Sequence, residues 1–226
     1  MSPRTRMLAG FLAVNLVIVL VAALVIYNRP ATPPLIQGVL LPQARDLDDF
    51  RLVDHDNQPF TNEDLEGRWH IVSYGFTTCP DVCPTTLAQL AEMTRRLEQT
   101  EQGAEDLQVL FYSVDHRRDT VAQMASYVPY FHPDFVGLTH RDNSANPHLP
   151  FERSLGIAAR LVPNTEPGAE ADPNDYEVNH GVALFLINPQ GKLQAVFEPE
   201  RVRPDQHRFD PNRILQDYLA IREYLG

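Results

Sequence analysis

The two cysteines of this 226-residue chain stand in the run Cys79-Pro80-Asp81-Val82-Cys83, and they are the residues best suited to chemistry. A cysteine thiolate binds soft metal ions and attacks disulfides. Three intervening residues let both sulfurs face one metal ion, and they also allow the pair to close into a disulfide. A purely stabilising disulfide is the simpler interpretation, but a bridge across so short a loop removes little chain entropy. The spacing therefore favours a chemical role and leaves metal binding and redox chemistry both open.

The cysteines lie between a predicted strand and a predicted helix. Residues 71–76 form an apolar run that is typical of a buried strand. Residues 87–97 carry apolar side chains at helical spacing. Proline is tolerated at the first helical position, so we expect the helix to begin at Pro84 with Cys83 near its cap. The partial positive charge of a helix N-terminus favours thiolate over thiol, which predicts lowered pKa values for both sulfurs.

The remaining pattern predicts an α/β domain. Before the cysteines, the pattern predicts a strand, turn and short strand at 50–60 and a helical turn at 61–65. After the helix that follows them, it predicts a strand at 107–114, a helix at 120–127 capped by Asp119, an apolar segment at 135–138 and a helix at 149–161. The rest of the chain is predicted as a loop at 163–177, a strand at 182–187, its hairpin partner at 193–197 and a helix at 212–225. This order is typical of a thioredoxin-like fold with an N-terminal β-hairpin and a helical insertion. The cysteines then lie at the carboxyl end of the first central strand, where open α/β sheets bind ligands.

A third ligand, His180, is predicted at the junction of the 163–177 loop and the third central strand. Two thiolates and one imidazole make a compact set of ligands. Thiolates select Cu(I), and the imidazole also suits Cu(II), whereas zinc would need a fourth ligand or water. The plain alternative is a hydrogen-bonded loop histidine. Six other histidines stand in polar surroundings and are interpreted as solvated: His55, His116, His132, His140, His148 and His207.

The sequence resembles the Sco/SenC family of membrane-anchored, thioredoxin-like copper proteins that help to assemble cytochrome c oxidase. The most specific block is GFTTCPDVCPTTL at residues 75–87. The other blocks follow in the family's order, at 113–115 with 118–120, at 135–139, at 175–180 and at 188–191. The resemblance covers roughly residues 45–225, and it implies that Cys79, Cys83 and His180 are copper ligands.

Two positions depart from the family pattern. His116 stands where the family commonly has proline, and Asn179 stands where aspartate often precedes the histidine ligand. The segment 143–150 also looks longer than usual. Asp115 and Arg118 are interpreted as a structural charge pair, buried near the site.

The resemblance supports two functions. The first is a copper chaperone that holds Cu(I) or Cu(II) and delivers it to the dinuclear copper site of cytochrome c oxidase subunit II, or to another copper-receiving protein. The second is a thiol–disulfide oxidoreductase, in which Cys79 and Cys83 cycle between dithiol and disulfide and reduce the cysteines of a copper-receiving protein. A peroxidase is disfavoured, because it needs a lone peroxidatic cysteine in a different local pattern. In an oxidising compartment the thiols need a bound metal or a partner that is a thiol reductant.

The front of the chain predicts a membrane attachment. We assign residues 1–7 to a cytoplasmic N-terminus, 8–27 to a transmembrane anchor, 28–43 to a proline-rich linker and 44–226 to the copper-binding domain. The apolar run, at about 1.5 Å per residue, matches the roughly 30 Å core of a bilayer. Arg4 and Arg6 precede it and favour a cytoplasmic N-terminus. This predicts a single-pass protein of the bacterial inner membrane with its domain in the periplasm; a cleaved signal peptide is disfavoured, because no clear cleavage site follows the run.

The charge of the chain limits its partners. The formal net charge is −11, and three arginines precede residue 30 without any acid, so the remainder is more acidic still. A domain with this negative charge repels the phosphate backbone of nucleic acids. The sequence therefore predicts no nucleic-acid partner.

Overall fold

The computed structural model describes residues 3–27, 32–101, 103–140, 148–164, 175–203 and 206–226. Parts of three predicted segments fall outside these ranges. They are residues 28–31 of the linker, 143–147 of the longer segment and 165–174 of the loop. The side chain of His207 also lies outside the description.

The described residues form five α-helices and twelve strands. The helices are α1 (Pro3–Tyr27), α2 (Val82–Glu98), α3 (Val121–Tyr127), α4 (Leu149–Leu155) and α5 (Pro211–Leu225), with a 3-10 turn at Asn62–Leu65. The strands are β1 (Gly38–Arg45), β2 (Arg51–Asp54), β3 (Pro59–Thr61), β4 (Trp69–Gly75), β5 (Leu107–Ser113), β6 (Val136–Thr139), β7 (Ala159–Pro163), β8 (Tyr176–His180), β9 (Leu184–Ile187), β10 (Leu193–Phe197), β11 (Glu200–Arg203) and β12 (Gln206–Arg208).

Within the described residues, eight strands make one mixed sheet in the order β1-β10-β9-β4-β5-β6-β2-β3. The three neighbours β4, β5 and β6 run parallel, so their carboxyl ends meet at one edge. Strand β9 runs antiparallel to β4, which brings the amino end of β9 to that same edge. The chain just before β9 therefore comes beside the chain just after β4.

The core covers both faces of the central strand, and every residue of β4 is buried. Ile71 faces a cluster that includes Leu90 of α2 and Tyr218 of α5. Val72 faces the opposite cluster, which includes Phe151 of α4. A strand buried on both faces needs a largely apolar sequence, and β4 meets that need apart from His70 and Ser73, whose polar side chains are also buried.

The predicted helix at 149–161 is correct at its start and wrong at its end. Helix α4 stops at Leu155, because Gly156 adopts the left-handed conformation at φ 79° and closes the helix. The chain then becomes strand β7, which pairs with β8 in a two-stranded ribbon. This ribbon replaces part of the predicted helix and both ends of the predicted loop.

Helix α1 includes residues 8–27, which we assigned to a transmembrane anchor. Among the described residues, the structure shows no helix with both the length and the apolar character needed to cross a membrane. The predicted anchor is therefore not confirmed.

Candidate metal centre

Cys79 lies in the loop after β4, and Cys83 lies in the first turn of α2. The backbone N–H of Cys83 donates a hydrogen bond of 3.4 Å to the Cys79 sulfur. Cys79 is half-buried and Cys83 is buried, and both are free thiols. The helix begins at Val82 with Asp81 as its N-cap, two residues earlier than predicted. Pro84 therefore occupies the first turn, where a missing N–H costs no helical hydrogen bond.

Gly75, the last residue of β4, makes room for the buried thiol. A Cβ atom at this position would lie 2.4 Å from the Cys83 sulfur and 3.4 Å from Cε2 of Phe111. The distance to the sulfur is far too short for a real contact, whereas the distance to Phe111 is close to an ordinary one. The glycine is therefore needed because the helix start packs directly on the end of the strand.

The loop between strand and helix is held by Asp119, which we had predicted to cap α3. Thr120 is the true cap, and its hydroxyl accepts a hydrogen bond from Gln123 N. The buried Asp119 carboxylate instead accepts bonds from Thr77 N at 2.9 Å, Thr77 Oγ1 at 2.6 Å and Ser113 Oγ at 2.6 Å. It ties the cysteine loop to the end of β5. Burial raises the pKa of Asp119, and its hydroxyl and amide donors oppose that rise.

His180 is the last residue of β8, and its ring reaches the cysteines. Its Nε2 atom lies 4.0 Å from the Cys83 sulfur. Its Nδ1 atom lies 2.6 Å from the carbonyl oxygen of Gly181. A carbonyl can only accept, so we assign the proton to Nδ1, which leaves the lone pair of Nε2 facing the thiols. The rings of Tyr74 and Phe76 pack around the imidazole with centroids 5.5 and 5.8 Å away.

The far end of β8 is fixed by a buried charge pair. Arg118 Nε donates to Asp115 Oδ2 at 2.5 Å, as the predicted pair requires. The Tyr176 hydroxyl donates to the other oxygen of Asp115, also at 2.5 Å. Arg118 also donates to the Tyr176 carbonyl and stacks 4.1 Å above its ring. The sequence indicated the charge pair, and it carried no signal for Tyr176, whose role appears only when β8 is placed.

The two thiols differ in acidity, and this corrects our expectation that both would be lowered. The hydrogen bond from the Cys83 thiol lowers the pKa of Cys79 to about 4, and burial opposes this effect. The pKa of Cys83 is raised, first by its hydrogen bond with Cys79 and then by burial. One proton therefore stays on Cys83 while Cys79 carries the negative charge. The partial charge of the helix N-terminus acts on both thiols and does not by itself make their pKa values differ. The greater burial of Cys83 does contribute to the difference.

This asymmetry predicts selective alkylation. In the reduced, metal-free chain, iodoacetamide should modify Cys79 at a rate that stays high as pH falls and drops only near pH 4, because protonation removes the nucleophile below its pKa. An unperturbed thiol would lose reactivity below about pH 8.5. Peptide mapping against pH measures both the site and the midpoint. A midpoint near that of free cysteine, or preferential labelling of Cys83, would contradict the assigned acidities.

The donor set fits one soft or borderline metal ion. An ion with bonds of about 2.3 Å to sulfur and about 2.0 Å to nitrogen places those two ligand atoms roughly 3.5 Å apart. The 4.0 Å between Cys83 Sγ and His180 Nε2 needs only a small contraction to reach that value. The thiolate character of Cys79 and the lone pair of His180 are already in place. The structure thus brings together all three residues that the sequence proposed as ligands.

A family model places this arrangement among known proteins. The SCO1/SenC model matches residues 41–209, which is more than half of the chain. The chain belongs to the SCO1/SenC family. The family resemblance inferred from the cysteine block is therefore confirmed.

Three relatives support the assignment. A Stutzerimonas stutzeri protein named for copper binding is 37% identical over 157 residues, which cover 70% of this chain and 71% of that protein. The mitochondrial SCO2 homologue of Bos taurus is 40% identical over 153 residues, which cover 68% of this chain and 54% of the relative. This chain thus spans about half the length of that SCO2 relative. The crystal structure of Arabidopsis thaliana ScoI with copper bound superposes with a TM-score of 0.62 at 28% identity, covering 79% of this chain and 99% of that one.

The family assignment confirms two further predictions. The mixed α/β sheet of this chain is the thioredoxin-like fold of the Sco structures, as expected from the order of its elements. The predicted metal, copper, is the one bound in the Arabidopsis relative. The family resemblance of the cysteine block carried this information, because thiolate and imidazole ligands alone also suit zinc.

Proposed function

We propose that this chain binds copper through Cys79, Cys83 and His180 and passes it to a copper-receiving protein. The dinuclear copper site of cytochrome c oxidase subunit II is the recipient that the family resemblance implies. One observation carries the proposal: the unprotonated nitrogen of His180 faces the Cys83 sulfur at 4.0 Å. A pure disulfide exchanger has no need for an imidazole lone pair held in that direction.

The chemistry of transfer follows from the unequal exposure of the ligands. Cys79 is half-buried and ionises first, so it can meet an incoming ion before the other two ligands. Cys83 is buried and loses its proton only when the ion replaces it. In transfer the order reverses: ligands of the recipient replace those of this chain one at a time. No free ion is released at any stage.

A cleft beside His180 gives a recipient access to the site. It has a volume of about 570 Å³, and its lining includes Tyr74, His180, Gly181, Glu198 and Arg201. Because it opens on the imidazole side, we infer that the recipient approaches His180 first. Glu198 and Arg201 both line the cleft and offer charges of opposite sign that could orient a recipient.

The thiol–disulfide oxidoreductase remains the second candidate, and the asymmetry of the thiols favours it. The Cys79 thiolate would attack a disulfide of the partner, form a mixed disulfide and expel one partner thiolate. Cys83 would then lose its proton, attack Cys79 and release the partner as a dithiol. The two electrons gained by the partner leave this chain with a Cys79–Cys83 disulfide. A separate thiol reductant must reset it.

Copper titration of the full chain tests the first candidate. We expect the reduced chain to bind one copper at the cysteine turn and the oxidised chain to bind none there, because a disulfide removes both anionic ligands. Cu(II) bound by thiolate gives sulfur-to-copper charge-transfer absorption, so the titration should follow that band under anaerobic conditions. The band reports only copper bound by cysteine. Equal band intensity in reduced and oxidised protein would rule out the proposed site.

We also propose that residues 8–27 anchor the chain in the bacterial inner membrane, with the N-terminus in the cytoplasm and the domain in the periplasm. The length of the apolar run and the preceding Arg4 and Arg6 support this proposal. N-terminal sequencing of protein extracted from native membranes tests it. The expected sequence begins at or near Met1, and a start between residues 28 and 32 would show a cleaved signal peptide instead.

A further inference from the structure

Three histidines meet at the edge of the sheet that carries the cysteine loop. His116 follows the end of β5, His140 directly follows the end of β6, and His148 directly precedes α4. Because β5 and β6 are parallel neighbours, their carboxyl ends bring His116 and His140 together. The sequence offered no motif at these spacings, and we had interpreted all three side chains as solvated.

The imidazoles form a compact stack. The rings of His140 and His148 lie 3.6 Å apart between centroids with an interplanar angle of 7°. The His116 ring lies 3.9 Å from that of His140 and 5.2 Å from that of His148. Each residue offers a ring nitrogen within 4.8 Å of the nitrogens offered by the other two. The three ring nitrogens therefore lie close enough together to bind one ion once the stacked rings turn toward it.

Burial makes this stack unusual for histidines without a ligand. His140 is 6% exposed and His148 is 4% exposed, while His116 is half-buried. Within the described residues, Nδ1 of His148 is buried and has no hydrogen-bond partner. A buried polar atom without a partner calls for an explanation such as an ion or water.

We propose that His116, His140 and His148 form a second metal site for a divalent first-row transition metal ion. Three histidines with an open fourth position make a well-known ligand set for such ions. Imidazole suits Cu(II) and Zn(II), and Cu(II) binds more tightly in the general affinity order. Cu(I), by contrast, prefers the thiolates of the first site. The proposal does not depend on copper delivery by the cysteine site.

The two sites lie at the same edge of the sheet. Strand β6 is two strands from β4, which corresponds to about 10 Å at the usual spacing of about 4.8 Å between strands. Asp115, His116 and Asp119 all follow β5, the strand that lies between β4 and β6. The chain would thus hold a soft ion on sulfur and a borderline ion on nitrogen side by side.

Titration of the full chain with the first site removed tests the second site. The parent variant is Cys79→Ser/Cys83→Ser/His180→Ala, purified without a histidine tag. We expect it to bind one equivalent of Cu(II) or Zn(II) in competition with a chelator. Electron paramagnetic resonance of the Cu(II) form should show coupling to imidazole nitrogens. The three histidines are unchanged in the parent variant. If this variant binds no equivalent of either metal ion, or binds Cu(II) without imidazole coupling, the proposal is overturned.

Substitutions in the cluster give the second arm of the test. Adding His116→Ala, the least buried member, should weaken Cu(II) binding by at least about tenfold, as loss of one ligand should exceed the effect of an outer-shell change. The matched control is His55→Asn, a half-buried histidine outside the cluster that accepts from Gly137 N at 2.8 Å. The control should leave Cu(II) binding unchanged. Unchanged binding with His116→Ala in a folded chain would also overturn the proposal.

A stability readout covers the case in which a variant folds poorly. Zn(II) that binds only the folded parent variant must raise its melting temperature, and the rise should grow with the logarithm of the Zn(II) concentration once that exceeds the Kd. That rise should be smaller with His116→Ala and unchanged with His55→Asn. A rise of equal size in all three chains would place the ion elsewhere and contradict the assignment.

Discussion

His180→Ala is expected to abolish stable Cu(II) binding at the cysteine turn while leaving Cys79 and Cys83 able to cycle between dithiol and disulfide. Cu(II) loses its only nitrogen donor and is left with two thiolates, which can reduce it. Because His180 is a direct ligand, the loss of Cu(II) affinity should exceed the roughly 10–100-fold effect of outer-shell changes. Cu(I) should be affected less, since two thiolates can hold it. Competition titration with each oxidation state measures both effects.

The same substitution separates the two candidate functions. The first-ranked cause of the low pKa of Cys79 is its contact with Cys83, which His180→Ala leaves in place. Disulfide exchange should therefore persist. If cytochrome c oxidase assembly fails in cells while the thiols still cycle, metal delivery is the function. Normal assembly with this variant would contradict delivery and leave the reductase. The melting profile of the variant, beside that of His55→Asn, must first show a folded chain.

Gly75→Ala is expected to disable the site without touching any ligand. The new Cβ would lie 2.4 Å from the Cys83 sulfur, so either the thiol or the end of β4 must move. Overpacking of this kind costs about 1–3 kcal/mol of folding free energy. The displaced sulfur should also lower copper affinity and raise the reactivity of Cys83 toward alkylation. Chemical denaturation and copper competition measure the two effects separately.

Gly137→Ala is the matched control for this change. Its Cβ would lie 2.9 Å from Val128 Cγ2 and 3.0 Å from Met124 Cε, in the core and away from the cysteines. We expect it to lose stability by a similar amount and to keep its copper affinity. Copper affinity that falls equally in both variants would mean that global stability, and not the position of the Cys83 sulfur, controls binding.

The ligands could be predicted from sequence because their information is local. The cysteine spacing, the strand before it and the helix after it place both thiols on one turn. His180 could be proposed because it stands shortly before the third central strand, β9, and an antiparallel neighbour of β4 must begin where β4 ends. The fold followed from the same local signals, since apolar runs and helical periods mark its elements.

Contacts between residues that are far apart in the chain could not be predicted from the sequence. Asp119 has the position of a helix cap, yet its carboxylate binds the cysteine loop 42 residues earlier. The raised pKa of Cys83 depends first on its hydrogen bond with Cys79 and then on burial, and both appear only when α2 is packed against Gly75. The three stacked histidines come from separate loops, and their polar neighbours in sequence suggested solvent. In each case the decisive partner is far away in the chain.

The ribbon of β7 and β8 is paired within itself and is separate from the main sheet. The imidazole therefore belongs to the ribbon, whereas the thiols belong to the chain that follows the main sheet. Asp115 and Arg118 hold the ribbon to the main sheet through Tyr176. Swinging the ribbon away would withdraw the imidazole and leave the strand, the helix and both sulfurs undisturbed. The residence time of an ion is thus expected to depend on the stiffness of this hinge more than on the strength of the sulfur bonds. Stopped-flow release from a Tyr176→Phe chain, which loosens the hinge and keeps all three ligands, should be faster than release from the unaltered protein.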